Sequence, residues 1–152
     1  MKIHYQTYEA IDKVEVLQMM EDFSALDNYT FNSDQREKSL LDFTAHDAFG
    51  KLYVIKKELE TIGYIVLTFG YSFGYNGRDA FIDEFYIKEA FRNKGIGKKT
   101  MDFIAEKAKT FDVKAIHLEV EHHNENAKHL YASKAYKNKK RSLLTKIIQI
   151  DD

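Results

Sequence analysis

Apolar positions change period several times along the 152-residue chain, and each change predicts an element. Alternation over residues 2–8 predicts a first strand. Ile11, Val14, Leu17, Gln18 and Met19 then recur at helical spacing. A second helix is predicted over about residues 33–48, with Ser33 or Asp34 as its cap and Gly50 ending it. Residues 27–32 between the two read as a loop. Three strands are expected next, at residues 52–57, 61–73 and 78–88. Asn76-Gly77 marks a hairpin between the last two, because both residues tolerate positive φ. Both alternating faces of residues 62–67 are apolar, as in a central strand covered on both sides.

Beyond residue 97 the period becomes helical, with Met101, Ile104, Ala108 and Phe111 on one face. Residues 115–120 return to a strand with Ile116, Leu118 and Val120 inward and His117, Glu119 and Glu121 opposite. A helix over residues 125–135 and a closing strand over 142–150 complete the pattern. Strand, helix, strand across residues 79–121 implies a right-handed crossover and locally parallel pairing. An antiparallel hairpin feeding that unit predicts a mixed α/β (α+β) sheet with helices on both faces. No linker, repeat or low-complexity tract interrupts residues 1–152, so one domain is expected.

Composition narrows the chemistry. Without cysteine there is no disulfide, no thiolate metal site and no cysteine nucleophile; without proline, turns fall to Gly, Asn and Asp. Neither an apolar run of membrane length nor a secretory signal core is present, so a soluble, unexported, cytoplasmic chain is expected, with no membrane partner. The net charge of −1 conceals an asymmetry: residues 88–146 hold fifteen Lys/Arg against seven Asp/Glu, or +8, and the remainder eight against seventeen, or −9. Such a division suits an anionic ligand on one side and a cationic one on the other, or two solvated faces that balance.

The basic half contains a strand, a turn with Gly95 and Gly97, and the start of a helix, with Arg92, Lys94, Lys98 and Lys99 around it. Amides in a helix's first turn lack internal partners and carry partial positive charge, so a diphosphate is their natural occupant. A Rossmann fingerprint fails because its third glycine position is Thr100, and a Walker loop fails because its first is Arg92. Arg92 to Gly97 does fit Arg/Gln-x-x-Gly-x-Gly/Ala, the acyl-coenzyme-A loop. Further on, Asn124, Ala127, Leu130 and Tyr131 stand in the order Asn-x-x-Ala-x-x-Leu-Tyr.

Together these motifs resemble the Gcn5-related N-acetyltransferase (GNAT) superfamily, most closely over residues 80–136. The resemblance implies a mixed, mostly antiparallel sheet of six to seven strands with a central splay. Acetyl-CoA would lie in that splay as acetyl donor. Its contacts would come from Phe85, Tyr86 and Ile87 through their backbone, from Arg92, Asn93, Lys94, Gly95, Ile96, Gly97 and Lys98 in the turn, and from Asn124, Ala127 and Tyr131. Asn124 is equally a helix N-cap residue. The chain departs from the family in lacking proline near Glu89 and in carrying Ala135-Tyr136 where Gly-Phe is common.

Transfer to an amine requires removal of an ammonium proton and protonation of the departing thiolate. The resemblance makes Tyr131 the general acid; the alternative is a core tyrosine. Glu84 is the candidate base, direct or through water, with Glu119, Glu121 and His122 as competitors and a solvated surface carboxylate as the plain alternative. Acidic residues near the expected cleft favour a small cationic amine as acceptor, with Tyr71, Phe73 and Tyr75 as candidate walls. The competing functions are a catalytically inactive acyl-CoA-binding sensor and a protein lysine or N-terminal acetyltransferase. His117, His122, His123 and His129 offer no closed ligand set, so no metal is expected. Lys137, Lys139, Lys140 and Arg141 lack interleaved stacking residues and predict no nucleic-acid partner; a homodimer remains open.

Overall fold

The computed structural model describes residues 2–149. Nine regular elements follow the predicted order: β1 (Ile3–Thr7), α1 (Lys13–Leu26), α2 (Ser33–Ala45), β2 (Gly50–Lys57), β3 (Glu60–Ser72), β4 (Gly77–Ile87), α3 (Ile96–Thr110), β5 (Val113–His117) and α4 (Glu125–Ser133). The strands form one sheet in the order β1-β2-β3-β4-β5, antiparallel except for the parallel pair β4–β5. The strand–helix–strand unit thus delivers the expected parallel step where the period changed.

Strict alternation divides the core. Leu52, Val54, Tyr64 and Val66 pack under Val16, Met19 and Met20 of α1 and Leu40 of α2. The intervening Tyr53, Ile65 and Leu67 pack with Ala80, Ile82 and the α3 residues Met101 and Ile104. Each face of β2 and β3 is therefore covered, as the doubly apolar run in β3 requires. Ile11 and Val14, 88% and 78% exposed, lie outside the α1 stripe, which is set by Val16, Met19 and Met20 instead.

β4 and β5 pair only from Arg78↔Val113 to Phe81↔His117. Beyond Phe81, β4 continues for six residues without a β5 neighbour, and the two chains part. This is the splay: the edge of β4 that faced β5 carries no strand over Ile82–Ile87, although Ile87 O is taken by the Arg92 side chain.

Local corrections follow from hydrogen bonding. The cap of α2 is Asn32, whose Oδ1 accepts from Gln35 N–H at 3.0 Å, rather than Ser33 or Asp34. The helix stops at Ala45, and Gly50 opens β2 instead of ending α2. In the β3–β4 hairpin only Asn76 takes positive φ (60°), while Gly77 pairs with Ser72 as the first residue of β4.

The larger correction concerns strand number. Five strands are present among the described residues, not six to seven, because residues 142–149 are exposed and have no sheet partner. A strand is completed only by a neighbour for its backbone groups, and the described residues supply none there. Residue 150, the end of that expected strand, lies outside the described residues. No helix among the described residues is long and apolar enough to cross a membrane.

Candidate active site

Two structures meet at the splayed half of β4. The first is the turn into α3. Asn93 and Gly95 both adopt left-handed backbone, at φ 60° and 81°, and Gly95 is the N-cap of α3. No side chain caps the helix; the first intrahelical bond runs from Lys99 N–H to Gly95 O. The amides of the preceding residues have no partner within the helix, and a Cβ placed on Gly95 would meet nothing within 4 Å. Open amides at a positive helix end fit a diphosphate, so the residues present suit the nucleotide end of acetyl-CoA.

Gly97 serves a different purpose. A Cβ there would stand 3.0 Å from Leu130 Cδ2, so the missing side chain lets α4 approach α3. Arg92 buttresses the turn: its Nε donates to Ile87 O at 2.7 Å, and its guanidinium lies over the Tyr86 ring at 5.3 Å. Lys94 sits over Phe91, while Lys98 is exposed and Ile96 is buried in the core.

α4 is fastened at its start by Asn124, whose Oδ1 accepts from Ala127 N–H at 3.0 Å. The N-cap role of Asn124 is therefore realised, and its amide group stays available to a ligand. Tyr131 is half-buried against the α3 cluster, with the Tyr136 ring edge-on at 5.9 Å. Burial raises the Tyr131 phenol above its ordinary value, and burial with the neighbouring Tyr131 pushes Tyr136 up to about 12. Both phenols stay protonated at neutral pH. Ala135 holds left-handed backbone (φ 70°), the conformation that the glycine common at this place adopts at lower cost.

The second structure is a cleft on the α1/α2 side, about 280 Å³, between α2 and the sheet. The register between β3 and β4 slips between Val66 and Leu67: Val66 faces Glu84 and Leu67 faces Ile82, leaving Asp83 as an extra residue. Alternation would send adjacent side chains to opposite faces. The bulge instead brings Asp83 and Glu84 to the same cleft, with Arg36 between the layers.

Glu84 is firmly held. Both of its carboxylate oxygens accept from Arg36 Nη1 at 3.2 Å, and Oε1 also accepts from Tyr64 Oη at 2.8 Å. Burial raises the Glu84 carboxyl above the usual range. Arg36 and the Tyr64 hydrogen bond pull it back, and the Asp83 charge pushes it up again. Asp83 reaches solvent yet is crowded on its cleft side; this partial desolvation raises it too, opposed by Arg36. Apolar walls come from Met20, Leu40, Phe43 and Leu52.

The other candidates are placed elsewhere. Glu121 accepts from Tyr29 Oη at 3.2 Å, which ties the α1–α2 loop to the segment after β5. Glu119 and His122 are exposed. Tyr71, Phe73 and Tyr75 stand at the hairpin tip, at the paired end of β4, and do not line the cleft. His117 bonds Asp79 at 3.1 Å beside Tyr75 and Phe81. Among the described residues no three His, Asp or Glu side chains gather as a metal site. Arg36 and Tyr64 escaped sequence reading because they sit 48 and 20 residues from Glu84; no local motif links them.

Comparison with known proteins bears on this arrangement. A family model described as acetyltransferase (GNAT) family matches residues 16–135. An uncharacterized N-acetyltransferase in the pepI 3′ region of Lactobacillus delbrueckii subsp. lactis is 33% identical over 86 residues, 54% of this chain and 49% of the relative. The chain thus spans about half the length of that relative. An integron cassette protein from the mobile metagenome of Cole Harbour Salt Marsh shares the fold at TM-score 0.86 and 22% identity, over 97% of this chain and 91% of the other. A predicted acetyltransferase from Clostridium acetobutylicum, in a crystal structure with acetyl-CoA, matches at TM-score 0.79 and 13% identity, over 95% and 96%.

Proposed function

Because the chain belongs to the acetyltransferase (GNAT) family, we propose that it carries an acetyl group from acetyl-CoA to a primary amine, directly, in a ternary complex. The acceptor in this reading is a small cationic molecule. The observation that carries it is the register slip that turns Asp83 and Glu84 into one cleft beside the splay. Two carboxylates facing apolar walls attract an ammonium and hold the carbon body attached to it.

Each residue then has a task. The first-turn amides of α3, opened by Gly95, hold the diphosphate, and Lys98 adds charge. The edge of β4 at Phe85, Tyr86 and Ile87, left without a β5 neighbour, aligns the pantetheine arm and offers an N–H to the thioester carbonyl. Asn124 and Ala127 border the arm from α4. Acetyl-CoA supplies the activated acetyl thioester, and free coenzyme A leaves as a thiol.

Glu84 accepts the ammonium proton, directly or through water. A carboxyl raised by burial is a better base than an exposed one, and Arg36 and Tyr64 keep it oriented as it ionises. Tyr131, protonated at neutral pH, holds the proton that the departing sulfur needs.

Thiol release from acetyl-CoA, followed across a panel of amines, tests the proposal. Turnover concentrated in small cationic amines is the expected result. Turnover only with lysine-bearing peptides or protein N-termini would replace the acceptor class. Tight acetyl-CoA binding with no turnover across the panel would replace the enzyme by an acyl-CoA-binding module.

A further inference from the structure

The sheet face that carries the cleft continues past it toward the β3–β4 hairpin. Thr68, which lines the cleft, pairs with Phe81, and Gly70, two residues on, pairs with Asp79. Cross-strand partners and every second residue share a face, so Phe81 and Asp79 extend the face of the cleft. The β5 partner of Phe81 is His117, which adds a third residue to it. Phe81 is 38% exposed, so its ring lies open between the cleft and Asp79.

Asp79 is held in place. A carboxylate only accepts, so His117 Nε2 donates in the bond of 3.1 Å to Asp79 Oδ2. The Tyr75 and Phe81 rings flank the His117 ring, with centroids 5.6 and 5.1 Å away. Gly70 makes the room, because a Cβ there would stand 2.7 Å from Asp79 Oδ1. That oxygen has no hydrogen-bond partner among the described residues, and no Lys or Arg among them pairs with Asp79. Lys114, whose stem lies against Gly77, is engaged by Asp112 at 2.9 Å. Yet the Asp79 side chain is only 16% exposed. A carboxylate so covered, without a cation of its own and beside aromatic rings, attracts an ammonium group.

We infer that Asp79, with His117, Tyr75 and Phe81, forms a second cation station, and that the acceptor is a long diamine. Its far ammonium rests at Asp79 while its near amine reacts beside Glu84. Four residues of β4 separate Asp79 from Asp83, about 13 Å at the rise of an extended strand. The carbon chain between the two nitrogens covers that span, and the Phe81 ring gives it an apolar floor. Acid, ring and acid along one face thus match charge, hydrocarbon and charge in the ligand. His117 is a positioning residue: it orients the Asp79 carboxylate and does not touch the reacting nitrogen. Resting on the acceptor reading of the cleft, this station narrows small cationic amines to long diamines.

Kinetics with two matched pairs test the station: 1,8-diaminooctane against octylamine, and 1,3-diaminopropane, too short to bridge, against propylamine. kcat/KM should favour the long diamine over its monoamine by about tenfold, mostly through KM, while the short pair differs little. Asp79→Asn should bring the ratio for the long pair close to one. Gly70→Ala, which keeps the charge but sets a methyl against Oδ1, should lower the ratio part of the way. His117→Ala should lower it too, and His117→Gln, whose amide still donates, should restore part of it. A long pair without preference in the wild-type protein, or a loss shared equally by both amines in Asp79→Asn, would overturn the station and leave acetyl transfer standing. Silence toward every amine would defeat the acetyl-transfer reading instead. Calorimetry of 1,8-diaminooctane on the wild-type protein and on Asp79→Asn then decides the station. Binding about tenfold weaker in the variant supports it, and equal binding overturns it.

Discussion

In the proposed reading, the two sides of β4 meet a ligand with different material. Toward α3 the site is made of backbone: left-handed Asn93 and Gly95, uncapped amides, and Gly97 admitting Leu130. Toward α2 it is made of side chains: Glu84, gripped by Arg36 from α2 itself and Tyr64 from the neighbouring strand. A backbone cradle tolerates side-chain replacement wherever φ/ψ survives. A carboxylate cleft depends on particular atoms and on one bulge. The difference predicts that substitutions on the α3 side act on donor binding and those on the α2 side act on chemistry.

Glu84→Gln tests this division most severely. It should lower kcat/KM by about 10²–10⁴-fold, the range for loss of a general base, with acetyl-CoA affinity unchanged by calorimetry. Comparable losses in both would show that the two sides are not separable. Tyr131→Phe should lower kcat by at least about tenfold, again with donor affinity preserved, as for a group acting in the transition state. Gly95→Asp addresses the other side alone: a carboxylate set where open amides await a diphosphate should weaken acetyl-CoA binding by roughly tenfold. An unchanged dissociation constant would move the donor away from this turn.

Arg36→Gln gives the smallest effect and the sharpest reading. Arg36 favours the ionised form of Glu84, so its removal raises that carboxyl further. A base works when ionised. The acid limb of the kcat/KM profile, already above the ordinary carboxylate range, should therefore move to higher pH, with the severest loss in mildly acidic buffer and near recovery at alkaline pH. The same linkage acts on stability. Glu84 binds its proton more tightly folded than unfolded, so stability falls as pH rises through its titration, and falls over a higher window in the variant. A uniform loss across pH would leave Arg36 a packing residue only.

Much of the geometry of the candidate donor side was legible because its determinants are near neighbours. Gly95, Gly97 and the following helix lie within one turn, and Asn124 caps α4 through a residue three positions on. Element order and the two-faced core of β3 were likewise written in local periodicity. The acceptor side was not. Glu84 was identifiable as a candidate, but strand alternation places Asp83 on the opposite face, and nothing nearby announces Arg36 or Tyr64.

Sequence alone therefore determined the elements, their order and the turn that opens α3, since backbone preference and hydrophobic period are properties of adjacent residues. Tertiary structure alone decided the slip opposite Val66, the grip on Glu84 and the five-strand sheet, in which the expected last strand has no partner among the described residues. Register and pairing are set by contacts between residues far apart in the chain, and a local pattern carries the capacity to pair without naming the partner.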